Sequence, residues 1–226
     1  MIRLYLWIII MFSFASGQIT SQAIVDSVKT RYDLIQDYSV QVKLAVEMPG
    51  FRMPRKRIKL FFKQPDKLKI ESDGFALVPR QGLGVAAILD SLTAIEIIGE
   101  ETIFGYPCWI LRGRGREGEL QFETSAWVDQ QDWVIRQIKS MIDTTQVAQI
   151  ELEYSLIDRR YLLPIKTTVM IDLPQLMATR MDHYDPDGSP FPQAKSSEKG
   201  NRSGKVTLEF NRYRVNRGLK DSFFRE

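Results

Sequence analysis

Strict alternation of apolar and polar residues makes the stretch from residue 38 to residue 70 the most regular part of the sequence. Between residues 38 and 48 every even position is apolar, and the odd positions are mostly polar or charged. A period of two is typical of a strand with one buried face and one solvated face. The apolar positions of this strand are Tyr38, Val40, Val42, Leu44, Val46 and Met48.

Two shorter strands repeat the alternation after a Pro-Gly break at residues 49–50, with a turn between them at residues 64–66. Together the three strands form an antiparallel meander whose apolar face must be covered by another layer. The apolar side carries Ile58, Leu60 and Phe62 in the first of the two strands and Leu68 and Ile70 in the second.

Two helical patterns are candidates for this cover. The first begins at a capping Thr20 or Ser21 and carries an apolar stripe from Ile24 to Ile35. The second falls within residues 82–93 and is entered through flexible glycines. We interpret it either as a movable lid or as a permanently packed core helix. Its apolar positions, spaced i, i+3, i+4 and i+7, are Val85, Ile88, Leu89 and Leu92.

The remainder of the chain returns to strands. Alternating or apolar segments recur at residues 95–98, 108–111, 120–128, 148–156, 165–171 and 206–210, and residues 133–141 suit an edge or two-sided strand. Short spacing without intervening helices favours one large antiparallel sheet over βαβ units. The pattern fails from residue 173 onward, and residues 185–204 are predicted to form a flexible loop.

The N-terminus has the features of an export signal. Arg3 precedes an apolar run from Leu4 to Phe14, and small residues follow at the cleavage spacing. We therefore predict a signal peptide over residues 1–17 and a single domain over residues 18–226, placed in the periplasm as a soluble protein. The apolar run is too short to span a bilayer comfortably. The alternative is a buried N-terminal helix.

Composition narrows the function classes. The net charge of +3 is too small to indicate nucleic-acid binding. Cys108 is the only cysteine, so an intramolecular disulfide is excluded, and its neighbours Pro107 and Trp109 favour a buried thiol.

Candidate catalytic and metal-binding residues are scarce. His183 is the only histidine, so any histidine-dependent catalysis must use a residue within an irregular, proline-rich segment. One cysteine and one histidine leave a zinc site without ligands. An EF-hand register that places Gly188 sixth puts Ala194 at the position that requires an acid. We predict a binding protein with no catalytic residue, metal or cofactor.

Several segments resemble the LolA/LolB-like family of periplasmic outer-membrane lipoprotein carriers. They are LFFKQP at 60–65, GEE at 99–101, GYPCW at 105–109 and AWVD at 126–129. The resemblance implies an incomplete antiparallel β-barrel, mainly β with an N-terminal helix and short lid helices over its concave apolar face. It also implies a chaperone that carries lipoprotein acyl chains from an inner-membrane export complex to an outer-membrane acceptor. We predict that the protein is a monomer.

One position departs from the family pattern. The family carries an arginine before the proline of the Lys-x-Pro turn, and its contacts hold the lid shut. Gln64 stands there in this sequence and cannot make the same bidentate contacts. Either Lys63 substitutes for the arginine or the lid is controlled differently.

The residues themselves indicate an apolar ligand. Each methylene removed from water contributes about 0.8 kcal/mol, so a long acyl chain represents on the order of 10 kcal/mol. A soluble carrier must therefore offer a strongly apolar cavity. We predict a lining of Val40, Val42, Leu44, Leu60, Phe62, Leu68 and Ile70, with Val85, Ile88, Leu89 and Leu92 above it. The alternative is a closed, filled core made of the same residues.

A run of basic residues lies on the polar side of the meander. Arg55, Arg57, Lys59 and Lys63 are candidates for docking anionic headgroups or an acidic membrane partner. The alternative is a solvated face that discourages edge aggregation. Three function classes follow: a lipoprotein carrier, a lipid- or lipoprotein-sensing periplasmic regulatory domain on the same fold, and, less favoured, a hydrolase.

Overall fold

A computed structural model describes residues 19–48, 51–52, 54–72, 85–117, 120–172 and 203–224. The α-helices are α1 (Ser21–Asp33) and α2 (Val85–Asp90), and a 3₁₀ helix spans Asp221–Phe224. The strands are β1 (Asp37–Met48), β2 (Phe51–Arg52), β3 (Lys56–Lys63), β4 (Lys67–Ser72), β5 (Thr93–Ile103), β6 (Tyr106–Glu117), β7 (Leu120–Asp129), β8 (Ile135–Ile142), β9 (Thr145–Ile157), β10 (Tyr161–Asp172) and β11 (Ser203–Val215).

Some predictions fall outside these residues. The signal peptide over 1–17, residues 185–202 of the predicted loop, and His183 are among them. Ser203 and Gly204, the last two residues assigned to that loop, belong instead to β11.

All strands belong to one antiparallel sheet. Its order is β4-β3-β1-β11-β10-β9-β8-β7-β6-β5, and β2 pairs with β1 beyond the end of β3. Within the described residues β4 and β5 do not pair with each other, so the sheet stays open between them. This confirms the predicted incomplete antiparallel barrel.

The last strand lies beside the first. β11 pairs with β1, and this register sets Phe210 opposite Val42 and Leu208 opposite Leu44. The two strands therefore continue one apolar surface, although more than 150 residues separate them in sequence. We call this surface, which carries Val40, Val42 and Leu44, the inner face, and the opposite surface the outer face.

Helix α1 covers the inner face. The Thr20 side chain accepts a hydrogen bond from the Ala23 amide at 3.2 Å and so caps the helix as the sequence indicates. Ile24, Val25 and Val28 are buried in the main hydrophobic core with the inner face of the sheet. The apolar stripe of α1 therefore forms the first layer of cover.

A partly buried tyrosine pair fixes the C-terminal half of α1 to the sheet. The hydroxyls of Tyr32 in α1 and Tyr154 in β9 lie 2.9 Å apart, and Tyr154 donates to the Ile135 carbonyl at 3.0 Å. Burial raises the pKa of Tyr32 to about 12. Both hydroxyls thus remain neutral hydrogen-bonding groups at physiological pH.

A buried ion pair joins β7 to β8. The Nε and Nη2 atoms of Arg136 donate to one oxygen of Asp129 at 2.9 and 2.7 Å, and both side chains are at most 3% exposed. The other Asp129 oxygen accepts the amides of Gln131 and Asp132. The guanidinium also lies over the Tyr106 ring, 3.7 Å from its centre. This network holds the β7–β8 turn and satisfies the charge of Arg136, so the first four residues of β8 are buried on both sides.

The C-terminal segment returns to the start of β1. The Asp37 carboxylate accepts the amides of Arg217 and Gly218, each at 2.9 Å. The 3₁₀ helix then packs on the outer face, where Phe223 meets the Phe61 ring at 4.7 Å. Asp221 binds Lys63 and Lys67, and these hydrogen bonds lower the pKa of its carboxyl to about 2.

We expect Asp129→Asn to lower the free energy of unfolding by about 3 kcal/mol, because it leaves the Arg136 charge buried without its main partner. Removing one partner of a buried ion pair costs about 3–5 kcal/mol. We expect the low end of this range because Asp132 also lies 3.4 Å from Arg136. The measurement is urea unfolding. Glu153→Gln is the control: it breaks the exposed pair with Lys166 and should cost under about 1 kcal/mol. Equal losses in both variants would contradict the anchoring role.

Candidate functional site

The inner face carries the residues predicted to line an acyl-chain site. Val40, Val42, Leu44 and Leu60 are at most 2% exposed and belong to the same core. Leu89 of α2 and Leu92, just beyond α2, also belong to this core. The structure therefore brings these sequence-distant residues together on one side of the sheet.

Burial along this face is graded. Phe62, Leu68 and Ile70, on β3 and the edge strand β4, are only partly buried and pack against the core from its margin. Ile88 of α2 is likewise partly buried, and Val85 is the first residue of α2. The least enclosed part of the predicted lining thus lies at the β4 edge, beside the opening of the sheet.

Helix α2, which we call the roof, contacts α1 and buries Leu89 in the core on the inner face. It lies in the connection between β4 and β5, the two edge strands. Asp90 of α2 forms an ion pair with Lys29 of α1, and the hydrogen bond to Asp90 is the main cause that raises the pKa of Lys29. Both side chains are substantially exposed, at 38% and 58%. The roof is therefore joined to α1 by a solvated contact.

Gly113 provides the place on β6 where the residues after α2 approach the sheet. A Cβ atom at this position would lie 2.9 Å from the Leu92 Cβ and 3.2 Å from Ile95 Cγ1. A side chain there would push Leu92 outward, so the lack of one allows the close approach.

Gln64 binds the C-terminal end of α1. Its Nε2 donates to the carbonyls of Ile35 at 2.9 Å and Tyr32 at 3.3 Å. Free carbonyls at a helix end require such donors. Lys63, the suggested substitute for the family arginine, instead binds Asp221 and the Leu219 carbonyl. Both residues therefore contact elements other than α2.

The four predicted docking residues do not lie in one place. Arg57 and Lys59 point to the outer face and line a concavity there, whereas Lys63 is occupied by the C-terminal segment. Arg55 is exposed just before β3. The sequence reasoning missed Lys43 and Arg212, which line the same concavity. Alternation along β11 places Arg212 on the same side as Phe210, and the β-bulge that brings it to the concavity instead has no local sequence signal.

The similarity of this chain to known proteins lies in its structure and not in its sequence. No protein-family model matches the sequence, and no curated protein matches it. Within the described residues, no helix has the length and apolarity needed to cross a bilayer.

Several solved structures share the fold. A DUF1329-family protein from Desulfovibrio piger aligns with a TM-score of 0.59 at 12% identity, over 90% of this chain and 96% of its own. A LolA-superfamily protein from Nitrosomonas europaea gives 0.56 at 12% identity, over 92% and 98%. A putative outer membrane lipoprotein-sorting protein domain from Vibrio parahaemolyticus gives 0.58 at 8% identity, over 88% and 95%. The expected LolA-like fold is thereby confirmed, and at these identities the likeness concerns the fold alone.

We expect Gly113→Val to displace Leu92 and loosen α2, because the added side chain occupies the space that Leu92 fills. Hydrogen exchange of the α2 amides should accelerate by about tenfold, equivalent to a loss of roughly 1.4 kcal/mol in local stability. Arg114→Val, on the exposed side of the same strand, should leave α2 unchanged. Unchanged exchange in the Gly113 variant would show that Leu92 does not hold the helix.

We expect Asp90→Asn to accelerate α2 exchange by a few-fold while costing under about 1 kcal/mol of global stability, because the pair with Lys29 is solvated. Glu96→Gln is a matched control: it breaks the Arg112 pair, which has nearly the same exposure, at 39% and 59%. The control should leave α2 exchange as it was. An equal effect of both substitutions would reduce the Asp90 result to a general charge effect.

Proposed function

We propose that this protein is a periplasmic lipid carrier that takes up the acyl chains of lipoproteins beneath α2 and delivers them to the outer membrane. One observation carries the proposal. A continuous apolar face spans β4, β3, β1 and β11, and two short helices supply its described cover. Part of that face, at Phe62, Leu68 and Ile70, stays incompletely buried.

The energetics of extraction support a site of this kind. A lipid chain leaves a membrane only if its methylenes, at about 0.8 kcal/mol each, find an equally apolar environment. The proposed lining supplies one without charged side chains: Val40, Val42, Leu44, Leu60, Phe62, Leu68 and Ile70 on the strands, and Val85, Ile88, Leu89 and Leu92 in the roof. Binding by burial alone requires no catalytic residue, metal or cofactor.

Entry requires the roof to move. We assign this movement to α2 for two reasons. It lies in the chain between the edge strands β4 and β5, and its polar link to α1 is the exposed Lys29–Asp90 pair. Gln64 acts on the roof only indirectly, as a positioning residue that holds the end of α1. An inner-membrane export complex and an outer-membrane acceptor are the partners that this role requires.

The direct experiment is native mass spectrometry of the protein purified from a membrane-containing extract. A bound lipid or lipoprotein acyl chain supports the proposal. A protein that binds no lipid and no fluorescent fatty acid would overturn it. Transfer of a labelled lipoprotein to acceptor membranes then separates a carrier from a sensor, since a sensor retains its ligand.

We expect the double variant Leu68→Ser/Ile70→Ser to weaken binding of a fluorescent fatty acid by about tenfold or more. Each substitution removes several apolar carbons from the margin of the site, and each buried methylene contributes about 0.8 kcal/mol. Half-burial of both residues limits the damage to the fold. The matched control is Leu156→Ser/Ile165→Ser, at positions 54% and 38% exposed. Equal affinities in the two variants would place the site elsewhere.

A further inference from the structure

The outer face carries a concavity with a chemistry opposite to that of the inner face. It has a volume of about 640 Å³ and lies across β4, β3, β1 and β11. We call it the outer groove. Its charged side chains are Lys43, Arg57, Lys59, Arg212 and a single carboxylate, Glu71, and its polar side chains are Gln41, Ser72 and Asn211.

Three of the four cations of the outer groove form no ion pair within the described residues. Within the described residues, the side chains of Arg57, Lys59 and Arg212 form no ion pair or hydrogen bond. Glu71 stands opposite Lys59 in the strand register, but the two side chains form no ion pair. Lys43 reaches Glu209 at 3.5 Å, but both groups are more than half exposed.

The strand register forces like charges together. Lys43 of β1 stands directly opposite Arg57 of β3. Like charges directly opposite each other on one sheet face destabilise the pairing. The fold tolerates this cost, and a bound anion would remove it.

A β-bulge aims the fourth cation into the same groove. Ser39 pairs with Arg214 and Gln41 with Asn211, so β11 has one extra residue in this interval. Arg212 lies in the bulge with a φ of +56°, a conformation that non-glycine residues adopt rarely. Bulges of this kind redirect side chains at functional sites.

The form of the groove indicates the ligand. Its lining includes the amides of Gln41 and Asn211, and two of its four cations are guanidinium groups. Guanidinium forks match phosphate oxygens, and amides suit neighbouring hydroxyls and esters. An acidic peptide would instead gain most from buried aromatic or aliphatic anchors, which this lining does not provide.

We propose that the outer groove binds the phosphate-bearing headgroup of an anionic phospholipid and so docks the outer face on a membrane surface. The proposal does not rest on acyl-chain binding, because it concerns the other side of the sheet.

The test is co-sedimentation of the full chain with phosphatidylcholine vesicles, with or without phosphatidylglycerol. We expect binding only to the anionic vesicles and its loss in high salt, which screens such attractions. In Arg57→Gln/Lys59→Gln/Arg212→Gln, binding should fall by roughly 100-fold, since each cation near an anionic surface contributes about fivefold. The control Arg114→Gln/Arg159→Gln/Lys205→Gln makes the same charge change at exposed sites outside the groove and should keep binding within about tenfold.

Three outcomes would overturn the proposal. Equal losses in both triple variants would reduce the effect to net charge. Binding of glycerophosphate without binding to anionic vesicles would assign the groove to a free phosphate. Binding to polyglutamate but not to anionic vesicles would assign it to an acidic protein. An unchanged urea-unfolding midpoint verifies the fold of the groove variant, so this result does not depend on the fate of the carrier proposal.

Discussion

The structure depends on how a single open sheet covers its apolar face. A β-sandwich would bury such a face against a second sheet, but here all strands belong to one sheet whose edges do not meet within the described residues. The described cover comes from curvature and from two helices. The tyrosine pair that binds α1 to β9, and the Gln64 side chain at the end of the same helix, therefore serve to hold the cover in place.

The alternation that builds the inner face also builds the outer one. Because successive side chains point to opposite sides of a strand, β1 places Val42 inside and Gln41 and Lys43 outside. The two surfaces are thus separated by the thickness of one sheet and differ entirely in chemistry. A ligand with an apolar chain and an anionic headgroup has affinity for each surface through a different part. The C-terminal segment covers part of the outer face at Phe61 and leaves the groove beside it open.

The sequence predicted the local elements well because hydrophobic period and capping are local properties. The β1 alternation, the Thr20 cap and the burial of Cys108 all reappear in the structure. The position of β11 beside β1 could not be predicted, since strand order depends on contacts between distant segments. Arg212 was missed for that reason. The Asp129–Arg136 pair was missed because two charges seven residues apart give no sign of burial. Periodicity also reports which side of a strand is apolar and not how much space lies above it, so the predicted lining remains a proposal.

The two helices of the cover differ in the manner of their attachment. Helix α1 spans 13 residues, buries three aliphatic side chains and is bonded to the sheet through a partly buried tyrosine pair. Helix α2 has six residues, too few to be stable alone, and its polar link to α1 is exposed to water. Opening the roof therefore requires breaking a solvated ion pair and withdrawing Leu89 and Leu92 from the core. An incoming acyl chain can replace the contacts of those two leucines with apolar contacts of its own, whereas no lipid group can replace the Asp129–Arg136 network. In the proposed carrier role, ligand uptake and fold stability would thus depend on different parts of the molecule, and α2 could move without unfolding the sheet beneath it.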